Sequence, residues 1–458
     1  MEETKTNFWN TYAYTISFLL CTILIVSSAF IPALAYVAMV VFIASACYFD
    51  ANKTLGLLFL FLLTEIILSS VVYTGFAFAS AFAIILYKAI KAKRVKWENS
   101  LIFPIVCIVI IFIMSFVVYN DNAPLSIAPI RYPLIFISLL LVHMLRKEFN
   151  ILELYRYLYC ALFITCLFGI IFIFPNPSGI QSFHSDEFGY FRYRALTGHE
   201  NTLYAYPVVL IGLGIYFYFK EKITIYEFCS ISLVCLFIGY ITCSKAFLLL
   251  SIIAILLFFI CSLKKGPTYI LFETLIFLCF VAVGYLTLKD QIIRMFDRFF
   301  LYFSGGNILN TLTTGRYDIW AEYYAMWKQN TVTILFGIGA NYIQLGDLSN
   351  PMNYVHCAYL DILVKFGLIG TLIIFAFLGY LIYKLPKHNL RFINFIPLIL
   401  VMINMIDEEF MSTKIIVLLI AIICLFDTSI QTAKIPKQYK KDNKTNKQFK
   451  FFTHNNKT

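Results

Sequence analysis

The feature that most constrains this chain is a close succession of long apolar segments. A membrane-spanning helix needs about 17–25 mostly apolar residues, and in lipid only helices or closed barrels satisfy every backbone polar group. We therefore predict an all-α fold, a polytopic transmembrane bundle of about 14 helices. The stretch 54–91 could also form one long broken helix with Gly75 near its centre. The predicted spans are 12–29, 31–48, 54–72, 75–91, 101–119, 128–145, 153–174, 203–220, 224–242, 244–262, 268–287, 358–383, 391–407 and 412–428.

The composition supports a membrane domain. Of 458 residues, 61% are hydrophobic and 13% are charged, whereas soluble domains carry nearer to about 25% charged residues. We predict one transmembrane domain, 1–430, followed by a disordered, Lys-rich cytoplasmic tail, 431–458. The net charge of +11 is spread over short loops and this tail, which argues against a nucleic-acid partner. The 12 Cys residues form no CxxC pair, so no redox or zinc motif is visible.

The loop charges give an orientation. If the N-terminus is cytoplasmic, the inside loops and the tail carry most of the Lys and Arg, whereas 120–122 and 407–409 on the outside carry Asp and Glu. This alternation predicts that both termini are cytoplasmic. Two outside loops, 175–202 and 288–357, are much longer than a turn requires. Long loops on a rigid scaffold are where function usually lies.

Four cations are predicted on the outside, Arg192 and Arg194 in the first long loop, Lys245 at a helix start, and Arg316 in the second. Guanidinium groups bind phosphate in a bidentate way. The group predicts a site for an anionic headgroup or a diphosphate. Lys245 could instead be an interfacial residue whose ammonium reaches water.

His356 opens a helix at the end of the second long loop. A neutral His there can act as a general base, although a lone His is more often structural. Asp318 supports Arg316 or is simply solvated, and Asn201 belongs to the site or caps the next helix. Because no acidic cluster is visible, we predict that no metal or other cofactor is needed.

Four segments, in order, resemble motifs of the O-antigen polymerase and O-antigen ligase superfamily of bacterial membrane glycosyltransferases. They are Arg194–Asn201, Thr242–Ala246, Thr314–Trp320 with Leu335–Gly339, and His356–Gly370. The chain departs from the family pattern twice. Position 357 is Cys where the family usually has Asn, Ser or Gln, and position 245 is Lys where it more often has Arg.

The resemblance implies a donor glycan linked through diphosphate to undecaprenol, and transfer outside the bacterial cytoplasmic membrane. It implies that His356 is catalytic and that Arg194, Arg316 and Lys245 bind the diphosphate. The residues predicted to support them are Arg192, Asn201 and Asp318.

Three functions remain open at this stage. We favour a polymerase that joins repeat units, since position 357 departs from the motif and the loops are rich in aromatic residues. The first alternative is a ligase that transfers the glycan to lipid A core, and the second is a lipid-linked oligosaccharide flippase or other transporter. The expected partners are the lipid bilayer, the lipid-linked glycan, and possible chain-length regulator and flippase proteins.

Overall fold

Helices make up almost all of the regular structure in the computed structural model. It describes residues 2–68, 71–95, 98–116, 128–174, 178–185, 191–197, 200–263, 316–339, 355–384 and 391–405, and the single positions 271, 274, 289, 290, 293 and 297. The α-helices are α1 Glu2–Ser28, α2 Ala33–Tyr48, α3 Ala51–Leu63, α4 Glu65–Leu68, α5 Val71–Lys91, α6 Ile102–Ser115, α7 Ala128–Met144, α8 Ile151–Gly169, α9 Glu200–Phe219, α10 Ile225–Ile241, α11 Lys245–Ser262, α12 Arg316–Trp327, α13 Thr331–Phe336, α14 Ala358–Tyr383 and α15 Phe392–Asn404. Short 3-10 turns span Asn99–Leu101, Arg146–Glu148 and Ile170–Ile173.

The helices coincide with the predicted spans wherever the structure describes them. Spans 412–428 and, apart from positions 271 and 274, 268–287 lie outside the described residues. Each remaining span falls on one or more helices. In the described part of the chain, six helices are long and apolar enough to cross a membrane, and six further apolar helices are shorter. The prediction of a polytopic helical membrane protein is therefore confirmed.

The stretch 54–91 is broken, but not at Gly75. The first break is at Thr64, whose hydroxyl donates back to the carbonyls of Leu60 and Phe61, a bond that bends helices. The amide of Ile66 then donates to the carbonyl of Leu196, 3.0 Å away. Gly75 lies inside α5. The break thus allows the backbone of Ile66 to bond to Leu196 in the first long loop.

Helix α9 is the centre of the bundle. It packs against α8, α10, α11 and α15, and 89% of its apolar span Thr202–Phe219 is buried inside the protein. Its contact with α15 is close, because a Cβ at Gly212 would lie 3.0 Å from Leu400 and 3.2 Å from Pro397. Helix α15 therefore packs directly against α9, which is deeply buried in the described part of the bundle.

All described residues belong to one compact unit, Met1–Phe426. The second unit, Asp427–Thr458, lies outside the described residues. The predicted boundary at residue 430 stays a prediction.

A small β-hairpin in the first long loop was not predicted. Strand β1, Phe183–Ser185, pairs antiparallel with β2, Phe191–Tyr193, and His184 lies opposite Arg192. The Tyr193 hydroxyl donates to the carbonyl of Cys166 on α8. Burial raises the pKa of Tyr193 well above its usual value, so this hydroxyl stays protonated and remains a donor. The hairpin is thereby anchored to the bundle just before Arg194.

Candidate functional site

Arg194 directly follows β2, and only one edge of its guanidinium is bonded to the hairpin. Its amide donates to the carbonyl of Ser182 at 2.9 Å, and its Nε donates to the carbonyl of Gln181 at 2.8 Å. The residue is half-buried. These bonds fix the backbone and one edge of the side chain, while the terminal nitrogens take no part in them. Such an arrangement suits bidentate recognition of a phosphate.

Arg192 has a different role from its neighbour. It is buried, and its Nε donates to the carbonyl of Thr242 at 3.0 Å. Thr242 ends α10 and precedes the start of α11 at Lys245. Arg192 therefore joins the hairpin that carries Arg194 to the turn that carries Lys245.

Lys245 is the first residue of α11 and follows a tight reversal of the chain. Cys243 has a positive φ of 51°, and Ser244 is extended at the helix N-cap. The Nζ atom of Lys245 is buried. An interfacial Lys that reaches water would expose this atom, so the alternative raised from the sequence does not fit. The ammonium is therefore enclosed by the protein, and its residue lies three positions after Thr242, the acceptor of the Arg192 bond.

The helix that begins with Arg316 is joined to the segment of His356 by a tryptophan. Arg316 begins α12, and Trp320 lies one helical turn later on the same face. The indole N–H of Trp320 donates to the carbonyl of Val355 at 2.8 Å. Val355 directly precedes His356, so the face of α12 that carries Arg316 adjoins the segment that carries the His. The aromatic-rich stretch 319–327 lies within α12.

His356 is half-buried and has a positive φ of 48°. His adopts this left-handed conformation more readily than most residues do, yet a non-Gly residue there is uncommon and often lies at a functional site. Three residues later, the Tyr359 hydroxyl donates to the carbonyl of Met402 on α15 at 2.7 Å. The start of α14 is thus held from two sides, by Trp320 and by α15.

Two glycine motifs, one around Gly337 and one around Gly367, pack directly against each other. Gly367 breaks α14 with φ 62° and ψ −170°, and Gly337 ends α13 with φ 79°. A Cβ at Gly337 would lie 2.3 Å from the Lys365 carbonyl oxygen. The amides of Ile338 and Gly339 donate to the carbonyls of Val364 and Lys365 at 2.9 and 3.0 Å. The two motifs therefore form one joint.

A small core supports the joint. It consists of the buried side chains Tyr323, Trp327, Ile338, Val355 and Val364. Helix α13 begins with a capping box, in which the Asn330 side chain and Thr333 bond each other's backbone amides. The structure therefore builds α12, α13 and the first part of α14 as one packed body around the His356 segment.

Two of the predicted supporting residues, Asp318 and Asn201, each lie in the first turn of a helix. Asp318 is exposed in the first turn of α12, where a carboxylate is favoured by the helix dipole. Asn201 lies in the first turn of α9, which begins at Glu200. It is therefore inside the helix rather than at its N-cap. In the described residues, no group of three His, Cys, Asp or Glu could hold a metal ion, and metal independence stays a prediction.

The site residues thus fall into two groups, each held together by hydrogen bonds to backbone carbonyls. The first contains Arg194, Arg192 and Lys245, and the second contains Arg316 and His356. Helix α15 contacts α9 and α11, and its Met402 carbonyl accepts the hydrogen bond from Tyr359 near His356.

Sequence reasoning missed a buried ion pair in α14, between Asp361 and Lys365. Two opposite charges four residues apart inside an apolar run were the available signal.

Comparison with known families finds a match that covers the segments of Lys245, Arg316 and His356. The sequence profile described as O-antigen ligase matches residues 230–375, from α10 into α14. This stretch includes Lys245, Arg316 and His356, whereas Arg194 lies before it. A search of curated proteins and of solved structures finds no match to the chain. Residues 230–375 therefore match the O-antigen ligase family model, which confirms the resemblance to the O-antigen polymerase and ligase superfamily for this part of the chain.

Proposed function

We propose that this protein is an O-antigen polymerase, which joins undecaprenyl-diphosphate-linked oligosaccharide repeat units on the outer side of the bacterial inner membrane. The observation that supports the proposal is the Trp320–Val355 hydrogen bond, because it joins the helix that begins with Arg316 to the residue before His356, within the stretch that the family model matches. A base next to a phosphate-binding cation is what transfer from a lipid diphosphate requires.

In the proposed reaction, a hydroxyl of the acceptor glycan attacks the anomeric carbon of the donor. The bond from that carbon to the diphosphate oxygen breaks as the glycosidic bond forms. His356 takes the hydroxyl proton, a contribution of about 10²–10⁴-fold to the rate for a general base. Arg194, Arg316 and Lys245 stabilise the negative charge on the departing undecaprenyl diphosphate. Asp318, at the start of the Arg316 helix, and Asn201 support these cations.

The donor is activated already, so the chemistry needs no nucleotide, metal or other cofactor. The undecaprenyl chain would lie among the apolar helices, which is why the reaction needs a membrane protein. The loop charges favour cytoplasmic termini and an outer site. A flippase that delivers the donor and a regulator of chain length are the protein partners that fit this reaction.

Ligase activity, in which the acceptor is lipid A core, is the second candidate, because the matching profile is described as O-antigen ligase. Cys357 separates this chain from the usual motif and favours the polymerase. A transporter fits less well, since charges within the described apolar helices are few, and Asp361 and Lys365 neutralise each other.

The test is complementation of strains that lack either the polymerase or the ligase, with the surface polysaccharide ladder read on a gel. We compare wild type, His356→Ala and Arg316→Ala at equal protein level. Arg391→Ala is the matched control, because Arg391 is exposed and lies outside the site. A ladder restored by wild type and by the control, but lost in both site variants, supports the proposal.

Two other outcomes overturn it. Glycan attachment restored only in the ligase-deficient strain assigns the protein as a ligase. No effect in either strain removes the glycosyl-transfer proposal and favours a transporter.

A further inference from the structure

A buried ion pair lies close to the site, and the proposed reaction does not use it. The Nζ atom of Lys365 is 2.6 Å from Oδ1 of Asp361, and their side chains are only 18% and 2% exposed. The Tyr132 hydroxyl on α7 donates to Oδ2 of Asp361 at 3.2 Å. The Nζ atom also lies 5.6 Å from the centre of the Tyr132 ring. One carboxylate thus binds both a cation and a neighbouring helix.

Stability alone does not account for this arrangement. Removing two charges from water is expensive, and a buried pair is often no more stable than apolar residues of similar volume. Ionisable side chains within apolar membrane helices are rare and commonly functional. By contrast, Arg94 and Glu148 form an ion pair at an exposed position, with side chains 58% and 26% exposed.

The position of the pair suggests its role. Gly367 divides α14, and the first part, Ala358–Phe366, is a half-helix that begins just after His356. Its start is held by Trp320 and its end by the glycine joint. Between these ends, the ion pair spans the last helical turn, and Tyr132 ties that turn to α7.

We propose that Asp361, Lys365 and Tyr132 form a positioning cluster, which sets the rotation of the half-helix Ala358–Phe366 and thereby aims His356 at the acceptor hydroxyl. Lys365 neutralises the carboxylate and leaves its second oxygen to accept from Tyr132. The Tyr132 bond then resists rotation of the half-helix about its axis. The effect on transfer rests on the proposed function, whereas the effect on the placement of the half-helix does not.

Cys357 is a native reporter for this placement, since it follows His356 and is half-buried. We would label the full-length protein in membranes of its native host with a membrane-impermeant maleimide. The loop charges put this segment on the accessible outer side. A Cys357→Ser variant gives the background from the other cysteines. The labelling rate of Cys357 reads the position of the half-helix start without any glycosyl transfer.

Two variants perturb the cluster in different ways. Tyr132→Phe removes only the hydroxyl. Asp361→Asn combined with Lys365→Met removes both charges and avoids an unpaired buried charge, so it is expected to fold. Tyr155→Phe is the matched control, because the buried Tyr155 hydroxyl on α8 has no hydrogen-bond partner among the described residues.

Both cluster variants are expected to raise the Cys357 labelling rate several-fold and to lower ladder formation about tenfold or more, since a small misplacement of a catalytic group is costly. Melting temperature and protein level stay near wild type, and Tyr155→Phe changes nothing. Unchanged labelling in both variants overturns the positioning role, whatever the ladder shows. Changed labelling without any ladder in wild type keeps the placement and refutes the proposed function instead.

Discussion

Substitution of Gly367 by Ala should damage the joint between the two glycine motifs. The new Cβ would lie 2.5 Å from the Gly337 nitrogen and 2.5 Å from the carbonyl carbon and oxygen of Leu335. All three contacts are with backbone, so no flexible side chain can move away. In addition, the φ of 62° and ψ of −170° at this position are accessible essentially only to Gly.

The expected loss follows from these terms. The backbone conformation costs a non-Gly residue about 1–3 kcal/mol. Separation of the motifs also breaks the bonds from Ile338 and Gly339 to the carbonyls of Val364 and Lys365, each worth about 1 kcal/mol. The joint should therefore weaken by about 3–5 kcal/mol. If α14 straightened, the carbonyls of Val364 and Lys365 would accept intrahelical bonds instead. The amides of Ile338 and Gly339 would then have no acceptors.

The assay is thermal unfolding of the purified protein in detergent, together with ladder formation in cells. Gly379→Ala is the matched control, because Gly379 lies in the same helix and a Cβ there meets nothing within 4 Å. Ala is favoured over Gly in a helix interior by about 1 kcal/mol, so this control should be at least as stable as wild type. If Gly367→Ala melts like Gly379→Ala and still forms a ladder, the joint does not hold the site.

Further substitutions distinguish residues that are proposed to bind the diphosphate from residues that hold the site in place. Arg194→Lys keeps the charge but loses the planar fork, so ladder formation should fall while the melting temperature stays unchanged. Arg192→Met removes a buried donor from a backbone carbonyl and should lower the melting temperature; equal stability would contradict its structural role. Trp320→Phe keeps an aromatic ring but loses the bond to Val355, so the ladder should weaken more than the stability does. Cys357→Asn should raise stability by about 1 kcal/mol, measured by thermal unfolding, because the N-cap of α14 has no side-chain hydrogen bond.

The spans of the helices were predictable because apolar length is the dominant signal in lipid. The break at Thr64 was not, because it depends on a tertiary bond from Ile66 to Leu196. The sequence around Thr64 does not indicate that Ile66 will bond to Leu196. Gly75, by contrast, is a residue that often breaks helices, yet it lies inside α5. Local propensity misled here because a long-range contact decided the outcome.

The sequence allows candidate site residues to be chosen by type, but it does not show how each one is held in the fold. Arg192 and Arg194 look equivalent in sequence, yet Arg192, within β2, is buried against Thr242, whereas Arg194, just after the end of β2, is half-exposed. The hairpin that produces this difference is too short to give a periodic signal. Similarly, sequence order gives no sign that the backbones at Gly337 and Gly367 touch.

Most of the bonds that join the motif segments end on backbone carbonyls. Trp320 donates to Val355, Arg192 to Thr242 and Tyr359 to Met402. A carbonyl acceptor is present whatever the side chain is, so such bonds depend on the donor residue and on backbone path alone. This explains how Cys357 can replace the polar residue expected after His356. The side chain there caps nothing, and the segment is held instead through the carbonyl of Val355 and the hydroxyl of Tyr359. The departure therefore removes a side-chain cap from the helix start, while the backbone bond to Trp320 and the hydroxyl of Tyr359 still hold the segment that carries His356.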